Sequence, residues 1–427
     1  MFTKVQMTQL PNGLRVISSS IDHFQSVSMG IWLNVGSRYE TVAQGGASHF
    51  LEHLLFKGTP RRSALQISQD IEGRGGYLNA FTQEESTCYF AQCGFDRLKP
   101  SFDVLADMVL NATCSAEDVE KERHVILEEM LMYRDQPHQY VMELLQEAVW
   151  PGHPMGRPVI GCEKSVGAMT AADIQAFKAQ KYVPATMVLA FAGAIKHEQC
   201  VALAESYFSG MPAGRAPKAV RFEASRRQER VNGITREIEQ THLALGIRTF
   251  GLHDPQRHAI RVLNTVLGEN MSSRLFQVVR ERYGLAYSIQ SSVQLHDDTG
   301  MLQISAGLDR QRSTKALDLI LKELDRFRFK PIGAGELRRA KDYMVGQLRL
   351  GLEGSSNQMM WLGNNVLSYG RFIDPAEAMA EIQRVTAEDV RELAASCFDK
   401  SRMTIALVSP PNDRLTTELA AASIDQF

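Results

Sequence analysis

Met169-Thr170-Ala171-Ala172-Asp173 recurs as Val385-Thr386-Ala387-Glu388-Asp389, with Thr170 and Thr386 lying 216 residues apart in a chain of 427. In each stretch a threonine followed three residues later by an aspartate is a helix-opening pair, the hydroxyl capping one backbone N–H and the carboxylate reaching back to another. Each predicted helix leads into an apolar run, Met187-Val-Leu-Ala-Phe-Ala192 and Met403-Thr-Ile-Ala-Leu-Val408, and these keep the same offset. Another correspondence, Ser115 to Met130 against Gly333 to Leu348, lies at nearly that distance. An internal duplication follows. Each copy has strands early, a strand pair in the middle, long helices, and a last helix and strand, which predicts an α+β fold of two duplicated domains, each an antiparallel sheet backed by helices. The sequence divides into 1–213, a Pro-, Gly- and Arg-bearing linker over 214–232, and 233–427.

At 47.7 kDa the chain suits two domains of about 200 residues each. A net charge of -2 and a pI near 6.6 give no electrostatic case for nucleic acid or an anionic membrane as the main partner. Residues 1 to 11 lack a cationic start followed by an apolar run, so no secretory signal is read. The run from Met187 to Ile195 is half a membrane span and reads as a buried strand. Six cysteines at 88, 93, 114, 162, 200 and 397 form no C-x-x-C pair and read as reduced, packed side chains, which favours a reducing compartment. The expected location is the cytoplasm, or the mitochondrial matrix if the chain is a processed form, without membrane insertion.

The chemistry concentrates in Gly45-Gly46-Ala47-Ser48-His49-Phe50-Leu51-Glu52-His53-Leu54-Leu55-Phe56-Lys57-Gly58-Thr59-Pro60. Ser48 is the expected N-cap, Lys57 suits the last turn, Gly58 the C-cap, and Pro60 stops the helix after two to three turns. His49 and His53, at i and i+4, project from one face about 6 Å apart at Cβ, which lets two imidazoles grip one ion. Glu52 sits beside them, angled so that its carboxylate can reach a reacting water without taking a coordination site. Phe50, Leu51, Leu54 and Leu55 hold the opposite face in a core. The plainer reading is a buried helix whose histidines bond to backbone.

Zinc hydrolases need three protein ligands and one open position. The charged helix begun by Ser115 and Asp118 offers Glu117, Glu120, Glu122, Glu128 and Glu129. Glu122 and Glu129 share a face about 10 Å apart along the axis, so one of them can touch an ion while the other orients a histidine. Such a run is more often a solvated face, and spacing leaves the choice open. No second metal motif, phosphate loop or Gly-x-Ser-x-Gly elbow is present.

His49-x-x-Glu52-His53, with Glu129 lying 76 residues beyond His53 in Val125-Ile-Leu-Glu-Glu-Met130, resembles the inverted zinc motif of the pitrilysin or insulinase metallopeptidases. Within that family the chain is most similar to the catalytic subunits of mitochondrial processing peptidase and their bacterial homologues. Phe56-Lys-Gly-Thr59, Gly76-x-x-Asn79-Ala-Phe-Thr82, His153-Pro-x-Gly-Arg157 and Ser273-Arg-Leu-Phe276 extend the likeness over nearly the whole chain. The resemblance implies one Zn2+ per chain on His49, His53 and Glu129, with Glu52 as the base and Glu122 supporting a histidine. It implies that Arg280 and Tyr287 meet the substrate carbonyl, although read blindly Arg280 ends a helix, Gly284 caps it and Tyr287 opens a strand. Asn79, Ala80, Phe81 and Thr82 resemble the edge strand to which an extended peptide adds. The implied activity is endopeptidase cleavage of peptides or unfolded presequence segments inside a dimeric chamber. Because the chain keeps both the zinc motif and the Arg/Tyr pair, a homodimer is expected. The alternative is a non-catalytic scaffold or partner subunit of a processing-peptidase-like or respiratory-complex assembly. Acids beyond the third ligand, Asp135, Glu143 and Glu147, would favour basic substrate side chains.

Overall fold

Both Thr-x-x-Asp pairs are reciprocal caps. Thr170 Oγ1 accepts from the Asp173 N–H at 3.2 Å while Asp173 Oδ2 accepts from the Thr170 N–H at 2.9 Å. Thr386 and Asp389 repeat the pattern at 3.0 and 2.8 Å. They open helices Ala171–Lys181 and Ala387–Cys397, which lead into strands Met187–Gly193 and Met403–Ser409. The computed structural model describes residues 4–223 and 228–427.

These residues form two units, each with its own sheet. In the first, the strand order is Val5–Gln9, Arg15–Ser20, Met187–Gly193, Ser26–Leu33, Thr87–Gly94, Tyr77–Thr82. In the second it is Val231–Thr235, Met403–Ser409, Gln240–Thr249, Gly300–Asp309, Ala286–Leu295. The order is the same apart from the additional outer strand Val5–Gln9 of the first sheet. Both sheets are α+β in setting and largely antiparallel, as the duplication predicts. One pairing in each is parallel: Arg15–Ser20 with Met187–Gly193, and Val231–Thr235 with Met403–Ser409. Those strands are joined by long crossovers rather than hairpins, which is what a parallel pair requires.

The units are not the contiguous pieces 1–213 and 233–427 read from the sequence. The first comprises Met1–Met130, Pro158–Val220 and Leu348–Pro375, and the second Leu131–Arg157, Arg221–Gln347 and Ala376–Phe427. The halves have exchanged a helix: Ser355–Tyr369, from the second half of the chain, packs on the first sheet, and Pro137–Val149, from the first half, packs on the second. Met359, Leu362 and Val366 enter one cluster with Ile17, Trp32 and Val188. Leu144, Leu145 and Val149 do the same with Ala244 and Ala406. Each such side chain contributes about 1.5–3 kcal/mol when fully buried, which sets where the helix goes more firmly than position in the chain does. Part of the expected linker, 224–227, lies outside the described residues. On its near side the Val220 carbonyl accepts from the buried Arg38 guanidinium at 2.8 and 3.3 Å. Two residues further on, still before that stretch, Phe222 is buried under Arg248, 5.0 Å from the ring centroid.

Each exchanged helix lies over a glycine of a central strand. A Cβ on Gly30 would come within 2.5 Å of Met359 Sδ, and one on Gly246 within 3.1 Å of both Leu145 and Val149. The contact is tightest at Gly363, where a Cβ would sit 2.0 Å from Trp32 Nε1 on a buried, rigid indole. Gly363→Ala is therefore expected to destabilise by about 1–3 kcal/mol and to lower Tm by roughly 2–10 °C in a thermal scan. An unchanged Tm would mean that the helix can lift off the sheet without cost.

Candidate metal centre

The helix that carries the two histidines runs Ala47–Leu55 and starts differently from expectation. Gly46, not Ser48, is its N-cap, at φ +90°, and a Cβ there would lie 2.6 Å from the Ile160 carbonyl oxygen. The capping side chain comes from the segment just before the helix: the buried carboxylate of Glu40 accepts from the Gly46 and Ser48 N–H groups at 2.8 and 2.7 Å. A carboxylate there satisfies two orphan donors and complements the positive end of the helix dipole. The C-cap is Phe56. Gly58 begins a short ladder with Ser63 instead of capping the helix. Phe50, Leu51, Leu54 and Leu55 are fully buried, and His49, Glu52 and His53 lie half-buried on the other side.

The charged helix runs Ala116–Arg134, begun by Ser115, whose Oγ accepts from the Asp118 N–H at 3.1 Å. It brings Glu129 to the histidines and leaves Glu128 exposed. Glu129 Oε2 lies 3.7 Å from His49 Nε2 and 3.5 Å from His53 Nε2, and one ligand atom from each residue falls within 4.8 Å of the others. Two donors bound tetrahedrally to one zinc at about 2.0–2.1 Å stand about 3.4 Å apart, so this donor set fits the ion with little movement. Among the described residues no other such group of His, Cys, Asp and Glu occurs.

Glu122 sits one step back. It accepts from His53 Nδ1 at 3.1 Å and pairs through its other oxygen with Lys57 Nζ at 2.7 Å. That leaves His53 Nε2 as the nitrogen turned toward Glu129, the arrangement that fixes a ligating imidazole. Lys57 was expected to serve the helix dipole, and its pairing with a carboxylate 65 residues away had no local signal. Burial, then the neighbouring His53, lowers the His49 pKa to about 4, so its ring is neutral and its lone pair available. Burial also acts to lower His53, but hydrogen bonds to Glu129 and Glu122 outweigh it and the net shift is upward.

Glu52 touches the edge of the first sheet. Its Oε2 accepts from Thr82 Oγ1 at 2.5 Å, and burial, partly opposed by that bond and by His53, raises its pKa above the ordinary carboxylate range. Thr82 ends strand Tyr77–Thr82, the outermost strand on that side. Asn79 is exposed there and donates from Nδ2 to Tyr77 Oη at 2.6 Å, its Oδ1 accepting from the Ala80 N–H at 2.8 Å. Ala80 and Phe81 are half-buried.

Arg280 and Tyr287 belong to the second unit and sit together. Arg280 lies in a wide-wound turn, Phe276–Arg282, closed by Gly284 at φ +55°. Strand Ala286–Leu295 then starts with a bulge: Ala286 opposes Leu308 and Ser288 opposes Gly307, which leaves Tyr287 without a partner residue. A bulge re-aims its side chain, and Tyr287 is 78% exposed. The Arg280 guanidinium lies 4.8 Å from the Phe276 ring centroid and 5.8 Å from that of Tyr287. The bulge has no sequence signature and was not anticipated. Of the cysteines, five are buried and free, and Cys162 is exposed, unlike the packed state expected. Burial raises the pKa of Glu143, with Arg134 opposing.

Two sheet-and-helix units of one topology, with a His-x-x-Glu-His helix in the first alone, define a zinc-peptidase-like architecture, and comparison with known proteins agrees. The family description "Insulinase (Peptidase family M16)" matches residues 15–163, and "Peptidase M16 inactive domain" matches residues 168–344. A protein of Mycobacterium tuberculosis named an uncharacterized zinc protease is 42% identical over 94% of this chain and 92% of its own length. The chain belongs to the insulinase, or M16, peptidase family. A solved protease from Helicobacter pylori has the same fold, with a TM-score of 0.90 at 20% identity over 96% of this chain and 100% of that one. So does a chain of complex III2 from Candida albicans, at 0.85 and 20% identity over 99% and 100%. No helix among the described residues is long and apolar enough to cross a membrane.

Proposed function

We propose that the chain is a zinc-dependent endopeptidase that cuts peptides or unfolded, presequence-like segments, holds one Zn2+, and works as a homodimer in the cytoplasm. The observation that carries this reading is the convergence of His49, His53 and Glu129 within 4.8 Å, beside a Glu52 that is bonded to an edge strand. Zinc bound there supplies a Lewis acid that polarises the scissile carbonyl and acidifies water. Glu52 takes the proton of the attacking water and returns it to the leaving amine, a role suited to a carboxylate whose pKa burial has raised. Asn79, Ala80, Phe81 and Thr82 align an extended substrate by adding it to the sheet as a further strand, which would carry the scissile bond past Glu52. Glu122 keeps the His53 ring in place.

Arg280 and Tyr287 are the groups proposed to hold the substrate carbonyl as negative charge develops on it. Tyr287→Phe is expected to lower kcat about 10²-fold with zinc content and KM little changed. A variant with wild-type kcat would remove Tyr287 from this role. The direct test of the whole reading is cleavage of a quenched fluorescent peptide with and without a zinc chelator, beside metal analysis and light scattering for the dimer. Chelator-sensitive cleavage supports it. A second reading, a non-catalytic scaffold, draws on the likeness to a complex III chain, which is one of fold alone. A zinc-loaded chain inactive on varied peptides would favour it.

A further inference from the structure

The duplication leaves one sheet edge covered and its counterpart open. In the first unit the outer side of Arg15–Ser20 is paired with Val5–Gln9 in antiparallel register, from Val5 opposite Ser19 to Gln9 opposite Arg15. In the second unit Val231–Thr235 holds the same place in the order, and no strand lies beyond it among the described residues. Its inner side is used: Arg230 O accepts from the Ile405 N–H, and the Arg236 N–H donates to Ser409 O, both at 2.9 Å. Backbone groups alternate in direction along a strand, so those of Val231, Gly233 and Thr235 point to the open side.

Beside this edge lies an unmet amide. Gln228 is 7% exposed, and among the described residues neither its Nε2 nor its Oε1 has a hydrogen-bond partner. It lines a surface pocket of about 610 Å³ together with Arg230, Val231, Thr417 and Ala421. A buried primary amide left unpaired is costly, and a peptide group carries both the N–H and the C=O that would satisfy it. Gly233 leaves room on the sheet face for Thr417, whose Cγ2 would lie 2.7 Å from a Cβ there, while its backbone groups stay free at the edge. The covered edge of the first unit shows what kind of occupant this topology accepts: an extended antiparallel strand.

We propose that the outer edge of Val231–Thr235 is a second peptide-binding site, which takes an extended segment of another polypeptide as an added antiparallel strand with a main-chain amide bonded to Gln228. Recognition is mainly by backbone, so the site tolerates varied sequences in an extended segment. It stands independently of the metal centre, and its test needs no catalysis.

The probe is the acetylated and amidated peptide Lys4–Leu10 of this chain, which contains the strand that covers the equivalent edge. Hydrogen exchange read by mass spectrometry on the full chain is expected to slow at least about tenfold over residues 229–236 at saturating peptide, with half-saturation between about 10 µM and 1 mM. Thr235→Pro removes one outward N–H at a position where an edge strand tolerates proline, and Gln228→Met removes the amide at nearly constant length. Each is expected to abolish the protection. Gln228→Met should also raise Tm, because it removes an unpaired buried group, and so serves if Thr235→Pro folds poorly. No protection over 229–236 up to about 1 mM, protection only along Tyr77–Thr82, or protection that survives both substitutions would overturn the proposal.

Discussion

Glu52→Gln is expected to reduce peptide hydrolysis by about 10³-fold or more while zinc stays at one per chain, because general acid-base catalysis is worth about 10²–10⁴ and the amide can do neither half of it. The substitution is nearly isosteric. Its carbonyl oxygen can still accept from Thr82 Oγ1, and the donor set His49, His53 and Glu129 is untouched. What disappears is a carboxylate whose pKa burial raises, the kind of group that can take a proton and give it back within one turnover. The measurement is initial rate on a quenched fluorescent peptide beside metal analysis of the same sample. A variant that keeps a tenth of the activity would show that the proton moves by another route. Loss of zinc together with activity would mean that Glu52 shapes the site rather than acting in it.

Glu129→Ala should produce the complementary outcome, in which metal and activity vanish together. Two imidazoles on one helix turn remain, and two neutral ligands hold zinc far more weakly than a set completed by a carboxylate. After dialysis against buffer at micromolar protein, zinc is expected at background and hydrolysis at the level of the chelated wild type. The fold should persist, since Glu129 is half-buried on a helix anchored elsewhere by Val119, Ile126 and Met130. Full zinc occupancy in this variant would move the third ligand to another residue. Taken together, Glu52→Gln and Glu129→Ala separate holding the ion from using it.

What the sequence disclosed depended on how local the cause was. The Thr170–Asp173 and Thr386–Asp389 caps are decided within four residues, and each formed where it was expected. The start of the histidine helix was misread because Glu40, six residues upstream of Gly46, supplies the cap that Ser48 was expected to give. His49 and His53 were legible from their spacing. Glu129 was not distinguishable from Glu128 or Glu120 without the family resemblance, since the side chain that reaches an ion is settled by how two distant helices pack. The Tyr287 bulge and the parallel strand pairs were invisible for the same reason: they are properties of register, not of composition. The division of the chain failed where helix Pro137–Val149 matched the wrong half in sequence and the right sheet in space.

That exchange bears on how the protein is made. A ribosome delivers the strands of the first sheet by Gly193, yet the helix that covers one face of it is complete only at Tyr369. For the time needed to synthesise the intervening residues, at about 5–20 per second, Ile17, Trp32 and Val188 await Met359, Leu362 and Val366. The nascent chain thus carries an uncovered apolar face while residues 194 to 369 are made, and the first unit cannot mature until most of the second half has been translated. The duplication, which looks like two modules joined in tandem, is a single folding unit in time.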